Sequence, residues 1–253
     1  MIPNYLELVL FKAYAEIKSE ASRYYFSFFW WVIEPTLFMF TFYIVFEMVL
    51  KSGGDNFVLF LFVGLVNWKW FSCTVNYGAT SITSNNVIIQ QVFLNNLVFP
   101  FTVMLTNTFR YLITFVILII FIFAVGVKPN LTWFSIIYIF IIQFFFINAC
   151  AMIVALITPF FTDFSLVIEN VMLLLFFLSG VVFDMANVPA HLAKYLYLNP
   201  MAVLIRENRT VLIYGHWPDW NGLHLIAVLT VAITVLIYSY QRRYDRVYPK
   251  LYM

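Results

Sequence analysis

Five ionisable residues interrupt otherwise apolar stretches of the 253-residue chain: Glu34, Glu47, Lys69, Arg110 and Glu169. A charged side chain inside a lipid-embedded helix costs roughly 2.5–3.5 kcal/mol on insertion scales, so each calls for a partner, an aqueous pathway or a ligand. Lys69 is the sharpest case. It stands mid-run in Asn67-Trp68-Lys69-Trp70, and no other charge occurs before Arg110. Two readings of Lys69 stand side by side. It lines an aqueous pathway, with Trp68 and Trp70 stacking on sugars or on the cation, or it pairs structurally with a carboxylate such as Glu34. Arg110 and Glu169 read as intramembrane pairing or interface residues, and Glu34-Pro35 as a kink beside an interfacial acid.

Chemistry of bond-making is not visible. His191, His216 and His224 have no ligand-like partner at helical spacing. Cys73 and Cys150 lie in apolar runs and read as small buried hydrophobes, so no metal is expected. The phosphate-cradling pattern GxxxxGK[ST] does not occur, so ATP is not bound by that route. Asn130-Leu-Thr132 and Asn208-Arg-Thr210 match the glycosylation sequon, a pattern common by chance. No catalytic residue is assigned.

The elements that must position these residues follow from composition. Hydrophobic residues make up 64% of the chain and charged ones 10%, with mean hydropathy +0.91; soluble domains carry about 45–50% and about 25%. The bilayer is therefore the solvent for most of the chain. A net charge of +2 leaves no basic patch for nucleic acid. Runs such as Phe115–Phe123 are apolar on every face, which fits lipid-embedded helices and not barrel strands. Six spans are expected: 27–50, 57–80, 97–125 (with a break or tilt near Pro100), 133–157, 164–183 and 223–240. Residues 4–24 read as an amphipathic helix in the membrane interface. Leu6, Val9, Leu10, Ala13 and Ile17 lie on one side, and Lys12, Glu16, Ser19, Glu20 and Arg23 toward the other. Residues 188–198 and 201–212, separated by Asn199-Pro200, read as two short helices forming a re-entrant hairpin, tolerated only against protein or water. An even span count puts both ends on one side. Seven Lys/Arg in the two terminal segments against five in the opposite loops place that side in the cytoplasm. No cleaved leader is read at the N-terminus. The fold class is an all-α integral membrane protein with one domain over residues 1–253.

Four features, in order, resemble the permease subunits of ABC exporters that move lipid-linked polysaccharides, the O-antigen, capsule and teichoic-acid branch. These are Arg23-Tyr24-Tyr25 followed by Trp30-Trp31 and Pro35; Gly64-Leu-Val-Asn-Trp68 followed by a polar segment and Phe99-Pro100; Leu178-Ser-Gly180-Val-Val-Phe183; and Pro189, Tyr197-Leu-Asn199-Pro200 and Arg206. The resemblance spans nearly the whole chain. It implies a homodimer enclosing one conduit, two separately encoded ATPase subunits that bind ATP and Mg, and a polyprenyl-diphosphate-linked glycan as substrate. It implies a coupling helix over 81–96, with Ser84, Asn85, Asn86, Gln90 and Gln91 as contacts, and a second contact at Pro159 and Asp163. It implies an external gate over 188–214 bearing Tyr195, Tyr197, Asn199, Pro200 and Arg206. The pathway residues would be Arg23, Tyr24, Tyr25, Trp30, Trp31, Trp68, Lys69 and Trp70. Many such permeases carry a lysine shortly before the Phe-Pro; residues 93–100 here have none. The location would be the bacterial inner membrane. Two other readings are a permease for drugs or small lipids and, from another class, a membrane-embedded transferase or secondary transporter.

Overall fold

A computed structural model describes residues 5–23, 27–49, 56–91, 95–185 and 188–244. Among them the chain is entirely helical, with no strand. The order is α1 (Tyr5–Arg23), α2 (Ser27–Tyr43, continued by a π segment Ile44–Val49), α3 (Phe57–Ser81), a 3₁₀ turn (Thr83–Asn85), α4 (Asn86–Gln91), α5 (Val98–Ala124), a 3₁₀ turn (Leu131–Phe134), α6 (Ser135–Ile157), α7 (Phe164–Leu178), α8 (Ala190–Leu196), α9 (Pro200–Leu212) and α10 (Trp220–Tyr244).

Four helical stretches are long and apolar enough to cross a membrane: Phe57–Ser81, Val98–Ala124, Leu131–Ile157 and Trp220–Gln241. Helix α7 has 15 residues. At about 1.5 Å per residue it covers about 22 Å, short of a hydrocarbon core that is about 30 Å thick. Its end is set by Gly180, whose φ is 64°. That left-handed conformation suits a residue without a side chain. The helices are continuous at both prolines expected to break or bend them. Pro100 falls in the first turn of α5, where a missing N–H leaves no bond unmade, so no break forms there. The α2 helix runs through positions 34 and 35, and its irregularity comes later, in the π segment.

Helix α3 is the hub. It is buried along most of its length and packs on α2, α5, α6, α7 and α9. Ile82, Ile89, Phe99, Ala149, Met152, Leu156 and Ile237 form one cluster. This cluster brings the end of α3, α4, the start of α5 and the ends of α6 and α10 to one end of the bundle, termed the α4 end. At the opposite, α9 end, Asn130 Nδ2 donates to the Gly215 carbonyl at 2.9 Å and Tyr138 lies against Trp220 and His224.

Helix α1 runs beside the first half of α5 in the same direction. Lys12 Nζ donates to Asn85 Oδ1 at 3.2 Å, Thr106 Oγ1 donates to Glu16 Oε2 at 3.3 Å, and Glu20 pairs with Arg110. Val9 and Ala13 are buried beneath it, while Leu6, Leu10, Phe11 and Tyr14 point outward. The charged stripe thus docks on protein, and much of the apolar face looks away from it. Of the segment 81–96, Asn86 to Gln91 forms a short helix, and residues 92–94 lie outside the described set.

Candidate functional site

Most of the ionisable residues that break the apolar runs converge. Lys69 of α3 pairs with Glu34 of α2, and Arg110 of α5 pairs with Glu20 of α1 and donates to Asn107 Oδ1 at 2.8 Å. Both pairs line a cavity of about 290 Å³ together with Trp30, Trp70, Cys73 and Tyr111. Partnering offsets the desolvation of each charge. A second, larger groove of about 590 Å³ lies between α2, α3 and α7. Its walls include Phe38, Phe42, Trp68, Lys69, Glu169 and Phe176. Of the two readings of Lys69, the ion pair with Glu34 is present, and the side chain also borders both spaces.

The two indoles beside Lys69 diverge, because successive residues on a helix point about 100° apart. Trp68 meets Phe176 of α7 edge-on at 5.9 Å between ring centres. Trp70 stacks on Tyr111 at 4.1 Å and on Phe140 at 5.4 Å. Both are buried. The sequence placed the three together; the structure puts Trp68 on the groove, Trp70 on the inner cavity, and Lys69 between them. Glu169 is exposed on the groove side of α7, and Asn170 returns its amide to the Leu166 carbonyl at 2.8 Å. Of the other expected pathway residues, Trp30 is exposed and borders the inner cavity. The Arg23, Trp31 and Glu47 side chains, and Tyr24 and Tyr25, lie outside the described residues.

At the α4 end, Asn85 accepts from Lys12 and donates to the Ser81 carbonyl at 2.7 Å. Ser84 returns its hydroxyl to the Thr80 carbonyl at 2.7 Å, and Asn86 Oδ1 accepts from the Val87 amide at 2.7 Å. These polar residues hold the turn. The outward surface is made by Val87 and Ile88, with Gln90 and Gln91, while Ile89 anchors α4 to the bundle. In the 158–163 turn Pro159 is buried, Asp163 is exposed, and Phe161 projects at 69% exposure.

At the α9 end, Asn199 caps α9. Its Oδ1 accepts from the Met201 amide at 3.0 Å and its Nδ2 donates to Ser179 Oγ at 2.7 Å. Pro200 takes the first turn, where its fixed φ and missing N–H cost nothing. Tyr195 is exposed. Arg206 lies over the Tyr197 ring at 4.9 Å, donates to Glu207 Oε1 at 2.6 Å and approaches Asp219 at 3.5 Å. Burial works to lower the affinity of Arg206 for its proton; the Glu207 carboxylate and the hydrogen bonds to Glu207 and Tyr197 outweigh it and hold the pKa above the usual value.

Arg209 is the residue sequence reading missed. It is 4% exposed and donates to the carbonyls of Phe60 at 3.0 Å, Gly180 at 2.7 Å and Val181 at 2.7 Å, with its guanidinium on the Phe60 ring. The signal was available in the spacing. Met201, Leu204, Ile205, Asn208, Arg209 and Leu212 recur at three- and four-residue steps, which puts Arg209 on the buried stripe. Gly64 makes room for it, since a Cβ there would collide with the guanidinium. Asn208 is buried against Gln143 and Leu204, which removes its sequon from the surface. Among the described residues no group of three or more His, Cys, Asp or Glu is placed to hold a metal.

Comparison with known proteins places the sequence. The sequence profile of the family described as ABC-2 type transporter matches residues 11–213. The chain is 28% identical over 234 residues to the O-antigen export system permease protein RfbA of Myxococcus xanthus, covering 91% of this chain and 89% of that one. It is 26% identical over 191 residues to an O-antigen export system permease protein RfbA of Klebsiella pneumoniae, covering 75% and 74%. With that profile matched over most of its length and long apolar helices to fit it, the chain belongs to the ABC-2 type transporter family.

Proposed function

We propose that this chain is the permease half of an ATP-driven exporter that moves a lipid-linked polysaccharide, of the O-antigen kind, out of the cytoplasm across the bacterial inner membrane. The observation that carries this reading is the α2–α3–α7 groove. It sets Lys69 and Glu169 among aromatic side chains in helices whose other outer faces are apolar. Lipid would penalise such a surface; a second copy of the chain, enclosing a conduit against the first, would not. Aromatic faces beside charged and amide groups suit a chain of sugar rings without demanding one sequence of sugars. The likeness to O-antigen export permeases over 91% of the chain supports the same substrate class.

In this reading six segments cross the bilayer: the four long helices, α2 with its π continuation, and residues 164–183, where α7 is extended by the segment that follows it. The α4 end faces the cytoplasm, as do both chain termini. Two separately encoded ATPase subunits, which carry the ATP and Mg, dock on α4 and on the 158–163 turn. Nucleotide binding shifts the dimer between states only so far as the ATPase contacts differ between them. Helices α8 and α9 form the outer hairpin and gate, and Arg23 contacts the lipid diphosphate at the cytoplasmic entrance, where guanidinium geometry fits phosphate. The test is reconstitution with the cognate ATPase and a polyprenyl-diphosphate-linked glycan. Glycan should cross only with ATP and both subunits, and Arg23→Ala should lower the rate while ATPase binding persists. Glycan transfer by the permease alone would overturn the reading.

A further inference from the structure

Two spaces lie against α1, and they adjoin. One is the cavity of about 290 Å³ that holds both ion pairs. The other, about 260 Å³, starts at Ser84 and Asn85 at the α4 end and extends past Glu16 and Thr106. Tyr77, Asn107 and Arg110 belong to the walls of both. Polar groups therefore stand in sequence along the two spaces, from Asn85, past Glu16, Thr106, Asn107 and Arg110, to the Lys69–Glu34 pair halfway along α3. At its inner end stands Trp70. This residue is 3% exposed and borders the cavity.

A space of this size with several polar groups in its wall ordinarily holds water. Each of the two spaces has room for several molecules at about 30 Å³ apiece. The side chains of Lys69 and Glu34 are partly accessible, at 41% and 34%. They need a polar medium to remain an ion pair at this depth. The walls balance in charge, since Glu16 also pairs with Lys12 at 3.1 Å and the two other acids each hold a base. The path is thus built for neutral water rather than for an ion.

We propose that the two spaces form a single hydrated crevice inside each protomer, open at the α4 end and closed at Lys69, which separates it from the α2–α3–α7 groove. The crevice is not the route of the polymer. It brings water from the α4 end to the Lys69–Glu34 pair and so keeps a mobile ion pair charged at the wall of the groove.

A native thiol reports on it. Cys73 borders the inner cavity, and Cys150 belongs to the packed core. The experiment uses the transporter with its ATPase in sealed vesicles of both orientations, with Cys150→Ala as background. The probe is methanethiosulfonate ethyltrimethylammonium, which does not cross lipid. Val87→Cys, on the outer surface of α4, marks the α4 side, and Asn107→Cys in a Cys73→Ala background gives a second reporter midway. We expect Cys73 and Asn107→Cys to react at least about tenfold faster from the side that labels Val87→Cys than from the other. Ser84→Trp, which narrows the mouth, should slow both at least about fivefold. Labelling of Val87→Cys with neither crevice thiol modified would overturn the proposal. So would equal rates from the two sides, or rates indifferent to Ser84→Trp. No step depends on glycan transport, so the result stands apart from the export reading.

Discussion

Arg209 ties three elements together through buried carbonyls: Phe60 in α3, which also accepts within its helix, and Gly180 and Val181 after α7. Arg209→Met keeps much of the packing and strands those acceptors, which should destabilise the chain on the order of 3 kcal/mol. Arg209→Lys should recover only part of the loss, because an ammonium cannot span three acceptors in the guanidinium plane. Gly64→Val should mimic Arg209→Met by displacing the guanidinium, and thermal unfolding in detergent measures all three. The Lys69–Glu34 pair makes a different prediction. Removing one member leaves an unpartnered charge, whereas removing both does not. Lys69→Met or Glu34→Gln alone should therefore lower yield of folded protein more than the double variant does, as read by size-exclusion chromatography. At this scale the sequence was legible where rarity carried the signal: a lysine in an apolar run announces itself. Its partner was legible only as one candidate carboxylate, since whether Glu34 of α2 faces Lys69 depends on how the helices cross. Arg209 was hidden because it sits among other charges in a segment that looks like a loop.

The stripe Lys12, Glu16, Glu20 on α1 is spaced at four residues and was legible as a polar face. What it meets was not. A polar face on an amphipathic helix suits headgroups equally well, and only the tertiary fold brings Asn85, Thr106 and Arg110 beneath it. Because α1 touches both the segment before α4 and the middle of α5, loosening it should uncouple the two ends. Glu20→Gln is expected to reduce glycan export severalfold while co-purification of the ATPase is unchanged. Helix α4 behaves the opposite way. The amides and hydroxyls around its start are spent on local turns, and the surface it offers is Val87 and Ile88. Ile88→Glu should abolish ATPase pull-down without lowering thermal stability, because the residue is 40% exposed. Polarity drew attention to this segment, but the residues facing outward include its apolar ones, an outcome set by the anchoring of Ile89.

For the whole molecule, composition alone identified a helical membrane protein, since no water-soluble fold hides this much apolar surface. The arrangement around α3 was not legible, because runs that are apolar on every face do not say which face meets protein and which meets lipid. The groove resolves that ambiguity on one side. Helices α5, α6 and α10 present outward residues such as Val116, Ile137 and Val228, and the α2–α3–α7 side presents Lys69, Glu169 and Asn76. In the proposed reading that side faces a second copy of the chain, and a partner ATPase drives the pair. The most direct measurement is made in the cell, by deleting this protein alone and assaying both the polysaccharide at the surface and the lipid-linked glycan inside. We expect surface polysaccharide to disappear and polyprenyl-diphosphate-linked glycan to accumulate on the cytoplasmic face, with both restored by the wild-type chain. Undiminished surface polysaccharide with no internal accumulation would contradict the assignment.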